Sequence, residues 1–383
     1  MKRYALIICG IAVAAAVLTG CGKKSDPLQR TADALDKNGS YYMLADMRVM
    51  PEQLDVMLNR ITPEADRFLK KFNAPFDFTA LRNRAKVFLH KTGVDKIQAA
   101  GASSKLFPKE QCGGNLWFHN RSAVALRGDS LPVFLLPFAG KDVDFMQFAA
   151  RVPESAAQAN IMNLDLAALY KFLKDGNLLP EMFETMVKSY CGCIAETFFS
   201  AISGTVEVID LNDDILQPQV AVTLPDKENL LYKLCGKYML FDPEKTDVFN
   251  FPNEDIPVTL RKKSGQIQIF FGRNTLQELD ALIASGRTMA KRADILWRSK
   301  RLPQQATAFV IVRYSYLAVG SNDLAAVGAV NVNKDEINFY ANTGYDLNGM
   351  PFELICNIIP YWEKIYKAVL QGKALPFAVS GDE

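Results

Sequence analysis

Short runs of alternating apolar and polar residues recur along this chain, and segments with helical spacing separate them. Residues 256–262 and 266–271 alternate on either side of Ser264-Gly265, which is the pattern of a half-buried hairpin. After Asn274, apolar residues return every three or four positions, as they do on one face of a helix. Such hairpins outnumber strand–helix–strand crossovers. The pattern therefore predicts an α+β fold with mostly antiparallel sheets and helices packed on one face.

The order strand, helix, helix, strand, strand occurs twice. Residues 38–152 are predicted as a first unit and residues 153–285 as a second, and 286–383 are predicted to hold a basic helix with C-terminal strands and a helix. Met43-Leu44-Ala45-Asp46 in the first unit is similar in place and polarity to Met162-Asn163-Leu164-Asp165 in the second. We therefore predict a loose internal repeat in which the two units share one strand order.

Residues 1–20 have the layout of a secretory signal peptide. Lys2 and Arg3 give a basic start, and residues 4–17 contain no charged side chain. This apolar run is shorter than the roughly 20 residues that span a bilayer. The segment is therefore predicted to be removed rather than to remain as a transmembrane helix.

The four residues that follow the apolar run are Leu18-Thr19-Gly20-Cys21, which resemble the lipobox of bacterial lipoproteins. The resemblance implies that a peptidase cuts before Cys21 and that the sulfur of Cys21 carries a diacylglyceryl group. Residues 21–37 would then form a lipidated tether. Gly22, rather than Asp, follows the cysteine, and in Gram-negative lipoproteins this implies sorting to the outer membrane of the cell envelope.

The body of the chain also resembles uncharacterised families of bacterial envelope lipoproteins. The shared features are a first strand that ends near an acidic residue, here Asp46, paired helices, and a Thr-Gly-x-Asp stretch before the next strand, here Thr92-Gly93-Val94-Asp95. The resemblance is one of layout, and it implies no particular activity.

Composition indicates a folded body without net charge. Apolar residues make up 49% of the chain and aromatic residues 10%, so a sizeable core can form. Removal of residues 1–20 takes away Lys2 and Arg3 and no acidic residue, so 44 − 2 leaves 42 basic residues against 42 acidic ones. Nucleic acid is therefore not an expected partner, because binding to it needs an excess of Lys and Arg.

The cysteines that would remain beside Cys21 do not form a disulfide framework. They are Cys112, Cys191, Cys193, Cys235 and Cys356, an odd number without dense spacing. Cys191 and Cys193 lie within a helix predicted over 180–199, where residues two apart point about 200° from each other. They are interpreted as small buried hydrophobic residues rather than as a redox or metal pair.

Residue types that catalyse reactions or bind metals are scattered. His90 ends a predicted helix and His119 lies in a predicted strand, and neither has the nucleophile and acid of a catalytic triad beside it in a known motif. A run starting at Asp210 suggests a calcium loop, but Ile215 and Ala221 stand where an EF-hand needs Gly and Glu, so a hairpin turn is favoured. The sequence thus predicts no catalytic, cofactor-binding or metal-ligating residue.

Positive charge is concentrated between Arg287 and Arg301, where Asp294 is the one acidic residue and Trp297 lies among the basic ones. One interpretation is contact with anionic lipid headgroups, lipopolysaccharide or an acidic protein. The other is a solvated helix face, which is the usual role of such runs. For contact with an anion, five residues should share one exposed face without carboxylate partners: Lys291, Arg292, Arg298, Lys300 and Arg301.

These features favour a non-enzymatic binding or scaffolding protein that is held at the membrane by acyl chains on Cys21. Its partner would be an envelope protein or a glycan. Two other hypotheses are compatible with the sequence. A carboxylate-dependent glycan hydrolase would bring acidic residues together in one cleft, and a lipid carrier would need a large apolar cavity.

Overall fold

The computed structural model describes residues 26–71, 93–107, 117–128, 131–138, 140–176, 179–180, 182–212, 217–251, 256–313 and 324–344, together with residues 79, 83 and 87. Several predictions lie outside the described residues. They concern the signal peptide, Cys21, Cys112, Cys356, His90, most of the second helix of the first unit and the C-terminal helix. No helix in the described part of the chain is long and apolar enough to cross a membrane.

The described residues form fourteen strands and nine α-helices. The strands are β1 (Tyr41–Asp46), β2 (Ile97–Phe107), β3 (Trp117–Leu126), β4 (Val143–Asp144), β5 (Gln158–Leu164), β6 (Gly204–Asp210), β7 (Val220–Pro225), β8 (Val248–Phe251), β9 (Val258–Lys263), β10 (Gln266–Phe271), β11 (Gln305–Ala306), β12 (Ala308–Arg313), β13 (Leu324–Val332) and β14 (Glu336–Gly344). The helices are α1 (Pro27–Ala34), α2 (Met50–Lys71), α3 (Phe145–Ala149), α4 (Leu166–Asp175), α5 (Phe183–Cys191), α6 (Ala195–Ala201), α7 (Leu230–Met239), α8 (Thr275–Ala284) and α9 (Ala293–Ser299).

Twelve of these strands form one antiparallel sheet. Their order is β1-β2-β3-β14-β13-β12-β5-β6-β7-β10-β9-β8, and β4 pairs separately with β11. The predicted α+β class with a mostly antiparallel sheet is confirmed. The hairpin predicted around Gly265 is β9–β10, in which Lys263 pairs with Gln266.

The sheet consists of two halves with the same strand order. One half begins β1-β2-β3 and the other begins β5-β6-β7, and in each half the three strands that follow run in reverse chain order, β14-β13-β12 and β10-β9-β8. The first half is thus completed by strands that come after the whole of the second half. This grouping differs from the three consecutive units 38–152, 153–285 and 286–383 of the sequence.

The strand registers define two ends of the sheet. We call the end at which β1 and β5 finish, at Asp46 and Leu164, the lower end. At the upper end β12 finishes at Arg313 and β5 begins at Gln158. The connections from β1 to β2, from β5 to β6 and from β7 to β8 all leave and re-enter at the lower end. β3 has 10 residues, and at about 3.3 Å per residue the two ends are about 33 Å apart.

Helices cover both faces of the sheet. Leu276 and Leu279 of α8 belong to the main buried cluster together with Phe270 of β10. Tyr232 of α7 packs instead with Ile267 of the same strand. Ile267 and Phe270 are three positions apart, so their side chains point to opposite faces. The predicted packing on one face is therefore corrected to packing on both, because β10 carries apolar residues on each of its sides.

The long helix predicted over 180–199 is two helices. α5 ends at Cys191 and α6 begins at Ala195. Gly192 between them has φ +72°, the left-handed conformation that commonly ends a helix. Cys191 and Cys193 therefore do not share a helix. Both thiols are free and half-buried, and burial raises the pKa of each. The prediction of two buried cysteines within one helix is therefore corrected to two half-buried cysteines on either side of a helix end.

Helix α1 is docked on the first half of the sheet. Its Thr31 and the following Leu35 are buried, and the guanidinium of Arg30 donates to the Leu126 carbonyl at 3.2 Å. Gly101 of β2 permits this approach, because a Cβ atom there would lie 2.7 Å from Cδ1 of Leu35. The tether predicted over 21–37 is therefore too long. From Pro27 onward the chain is a packed helix, since α1 has an apolar side that fits the sheet.

Candidate functional site: an arginine-lined cleft

An open cleft of about 370 Å³ lies where the two halves of the sheet meet. One wall is the segment just before β5, which contributes Glu154 and Ser155. The other wall is the end of α8 and the segment after it, which contributes Ser285, Arg287 and Arg292. Arg313, the last residue of β12, and Leu282 of α8 also line the cleft. The cleft is thus built by three parts of the chain that are distant in sequence.

Main-chain hydrogen bonds hold the two walls together. The N–H of Glu154 donates to the carbonyl of Arg287 at 3.0 Å, and the N–H of Met289 donates to the carbonyl of Val152 at 2.9 Å. Backbone pairs of this kind persist without any side-chain rearrangement. The backbone of the two walls is therefore held in place.

Positive charge exceeds negative charge in the cleft. The guanidinium groups of Arg287, Arg292 and Arg313 line it together with the carboxylate of Glu154, which lies 3.3 Å from Arg287. Asp294 lies outside the lining and contacts Arg292 at 2.9 Å. The three arginines together with the carboxylates of Glu154 and Asp294 have a formal charge of +1.

Lys291 places a further cation beside this cleft. Its Nζ atom lies 3.4 Å from the point that a Cβ atom would occupy at Gly286. Gly286 stands between Ser285 and Arg287, which both line the cleft. With Lys291 included, the formal charge rises to +2. Phosphate and carboxylate groups match such a site, because a guanidinium donates two parallel hydrogen bonds to either.

The residues that were predicted to contact an anion differ in position and exposure in the structure. Arg292 lines the cleft and Lys291 lies beside it, whereas Lys300 is exposed and Arg298 is only 3% exposed. Arg298 also lies 3.8 Å from Asp294. The condition set for anion contact, one exposed face without carboxylate partners, is therefore not met, because Arg298 is buried and Asp294 contacts both Arg292 and Arg298. Contact of these residues with an anion stays a prediction.

Arg292 and Arg298 keep the side chain of Asp294 ionised. Burial acts to raise its pKa, but the hydrogen bonds and charge of Arg292 and the charge of Arg298 outweigh burial, so the pKa falls below the ordinary 3.8. Asp294 is thus a carboxylate at neutral pH. It positions Arg292 at the cleft through bonds of 3.0 and 2.9 Å.

Arg298 and Arg301 stack on aromatic rings. The Cζ atom of Arg298 lies 3.3 Å from the ring centre of the buried Trp117. The Cζ atom of Arg301 lies 3.6 Å from the ring centre of Trp297 and 5.0 Å from that of Phe107. Desolvated cation–π pairs contribute about 2 kcal/mol. These two arginines therefore join α9 to β2 and β3 and have a structural role.

His119 is also held by its neighbours. Its Nε2 atom accepts a hydrogen bond from Nε of Arg121 at 2.9 Å, so Nδ1 carries the proton and donates to Oδ1 of Asn342 at 2.6 Å. Burial, the largest cause, lowers the pKa of His119 below 6.5. A general base needs a free ring nitrogen next to its substrate. The geometry instead gives His119 a structural role, because its hydrogen bond to Asn342 joins β3 to β14.

Sequence reasoning missed Ser285 and three further residues of the cleft that lie outside the basic stretch: Glu154, Ser155 and Arg313. These three belong to no motif and stand far along the chain from the basic stretch around Arg292. Their common position follows from the pairing of β12 with β5, where Val312 opposes Gln158. Tertiary structure alone brings them together.

Among the described residues, no group of three His, Cys, Asp or Glu is placed to hold a metal ion. No protein-family model, curated protein or solved structure matches this chain. The functional proposal therefore rests on the amino-acid sequence and on the geometry of the described residues.

Proposed function

We propose that this chain is a lipid-anchored protein of the bacterial cell envelope that binds an anionic ligand in the arginine-lined cleft. The observation that carries the proposal is the convergence of Arg287, Arg292 and Arg313 from two separate parts of the chain. The lining holds three guanidinium groups and one carboxylate, that of Glu154, so its net positive charge attracts an anion. Because main-chain hydrogen bonds join the two walls, no ordering of their backbone opposes binding.

The size of the cleft limits the ligand. A volume of about 370 Å³ is at the lower end of the range for small-molecule sites, which starts near 300 Å³. One charged group and its immediate neighbourhood fit, but a long polymer does not. The ligand is therefore a phosphate or carboxylate group, free or carried by an envelope glycan or protein.

Binding of inorganic phosphate and of citrate to the unlipidated chain, measured by isothermal titration calorimetry, tests the cleft. Arg287→Gln should raise the Kd of the better probe by roughly tenfold or more, because a hydrogen bond to a charged group contributes about 1.5 to 3 kcal/mol. The side chain of Arg287 is 78% exposed, so folding should not change.

Arg273→Gln is the matched control, since Arg273 is an exposed arginine outside the cleft lining. This control should bind the probe as the unchanged protein does. Equal affinity in all three proteins, or equal losses in the two variants, would rule the cleft out as the binding site.

Attachment to the membrane is tested separately. Cys21→Ala should abolish labelling with radioactive palmitate, and it should either release the protein from the membrane fraction or leave residues 1–20 uncleaved, because the acyl chains are attached at this sulfur in the proposal. Cys235→Ala serves as a control for the loss of a cysteine elsewhere. Continued palmitate labelling of Cys21→Ala would refute anchoring at this residue.

A further inference from the structure

The lower end of the sheet lies close to the start of the described chain. Asp26, which precedes α1, contacts the guanidinium of Arg48 at 3.2 Å. Arg48 also contacts Asp46, the last residue of β1, at 2.5 Å. Since α1 is docked through Thr31 and Leu35, Asp26 has a defined position at the lower end, beside β1.

The chain between this point and the proposed lipid anchor is short. Five peptide steps separate Cys21 from Asp26. An extended chain spans at most about 3.5 Å per residue, so Cys21 lies within about 17 Å of Asp26. Acyl chains on Cys21 would be inserted in the bilayer, and the lower end near β1 would then lie within about 17 Å of the lipid headgroups. The tether is shorter than the body, which is about 33 Å along its strands, so it keeps the lower end of β1 near the bilayer.

The same end of the sheet exposes apolar side chains. The five most exposed large apolar residues that the structure describes belong to the connections that leave and re-enter at the lower end. They are Met182, Tyr190, Ile194, Tyr238 and Leu240, of which Leu240 is 91% exposed.

These residues come from two connections that touch each other. The hydroxyl of Tyr238, at the end of α7, donates to the carbonyl of Tyr190 in α5 at 3.1 Å. The α2 connection of the first half exposes Val56, Met57 and Ile61 in addition. Exposed apolar groups at the end of a molecule that also carries its lipid anchor match the interfacial region of a bilayer, where amphipathic residues such as Tyr are enriched.

We infer that the lower end of the sheet, with the exposed apolar residues of α2, α5 and α7, rests on the lipid bilayer. The inference depends on the acylation of Cys21 in the proposed function. Its consequence concerns the cleft, which includes Arg313 and so lies toward the upper end. The cleft then faces the aqueous space instead of the headgroups of the membrane that carries the anchor.

Photo-crosslinking of the acylated full-length protein tests this orientation. The protein is reconstituted in vesicles of phosphatidylethanolamine and phosphatidylglycerol, with benzoylphenylalanine at Met57, Tyr190 or Leu240. Controls carry the same group at Phe251 or Leu296, which are exposed apolar residues away from the lower-end connections. Lipid adducts at each of the first three positions should exceed those at both controls severalfold, as read by mass spectrometry.

Palmitate labelling of each protein separates this inference from the proposed function. If the labelled protein forms equal amounts of lipid adduct at all five positions, the orientation is wrong although the anchor is present. Crosslinks from Tyr190 and Leu240 to protein instead of lipid would show that another polypeptide segment covers the end, and they would overturn the inference too. Lack of palmitate on the unchanged chain would contradict the proposed anchor itself.

Discussion

Arg298 and Lys300 stand two positions apart in the basic stretch, but the structure places them in opposite environments. Arg298 is buried on Trp117, whereas Lys300 is exposed. Charge along a sequence does not reveal this difference, because it depends on where α9 meets the sheet. A variant that removes all the basic residues at once would therefore perturb folding as well as any contact with an anion.

Replacement of Arg298 by Lys should lower the free energy of unfolding by about 2 kcal/mol, because an ammonium group cannot stack on the Trp117 ring as a planar guanidinium does. Lys300→Gln is the control and should change stability by less than about 0.5 kcal/mol, since Lys300 is exposed. Urea denaturation followed by tryptophan fluorescence measures both. Equal stability of Arg298→Lys and the unchanged protein would show that the stacking contributes little.

At the scale of single elements, local patterns predict those parts of the fold that depend on local sequence. Alternation around Gly265 predicts β9–β10, and apolar spacing after Asn274 predicts α8; the structure contains both. The helix predicted over 180–199 fails at Gly192, because its apolar spacing continues across a residue with left-handed φ. The docking of α1 could not be predicted either, since it depends on the missing side chain of Gly101 in a strand far along the chain.

Gly101→Ala tests that docking. The new methyl group would lie 2.7 Å from Cδ1 of Leu35 and 2.8 Å from the Met43 carbonyl oxygen, so both the segment that ends α1 and the backbone of β1 must shift. We expect a loss of about 1 to 3 kcal/mol in the free energy of unfolding, as for other overpacked sites. Limited proteolysis should also cut within α1 sooner.

Ala102→Val is the control for Gly101→Ala, because residue 102 follows in the same strand and points to the opposite face. Its proteolysis pattern at α1 should match that of the unchanged protein. A Gly101→Ala protein with unchanged stability and unchanged cleavage would show that α1 tolerates a side chain at this position.

At the scale of the whole molecule, the repeated order of elements in the sequence predicts part of the strand order of the sheet. The order β1-β2-β3 in one half and β5-β6-β7 in the other follows the predicted repeat. The strands that complete the first half come from the end of the chain, as in the pairing of Tyr340 with Arg121. No local pattern reports a pairing over so long a separation. The cleft could not be predicted from the sequence for the same reason. Its strands β5 and β12 are paired, although the rest of the second half lies between them in the chain.

This strand order makes the two predicted units unequal when they are separated. The fragment 153–285 contains six strands that are adjacent in the sheet, with their own buried cluster around Tyr232, Leu260 and Ile267. The fragment 38–152 contains β1, β2 and β3 but none of the partners from 308–344 that pair with β3. A sheet gains stability from its pairing and from a shared core, so the fragment 153–285, with six paired strands and its own buried cluster, is better able to fold alone than the three strands of 38–152.

We therefore expect the fragment 153–285 to unfold cooperatively in urea and the fragment 38–152 to show no cooperative transition. Circular dichroism measures both, with the unlipidated full chain for comparison. The fragment 153–285 should be less stable than the full chain, because β5 loses its partner β12 together with the contacts of Phe309 and Ile311 in the main core. Cooperative folding of 38–152 alone would instead support three consecutive units, and it would mean that the pairing of β3 with β14 adds little to the first half.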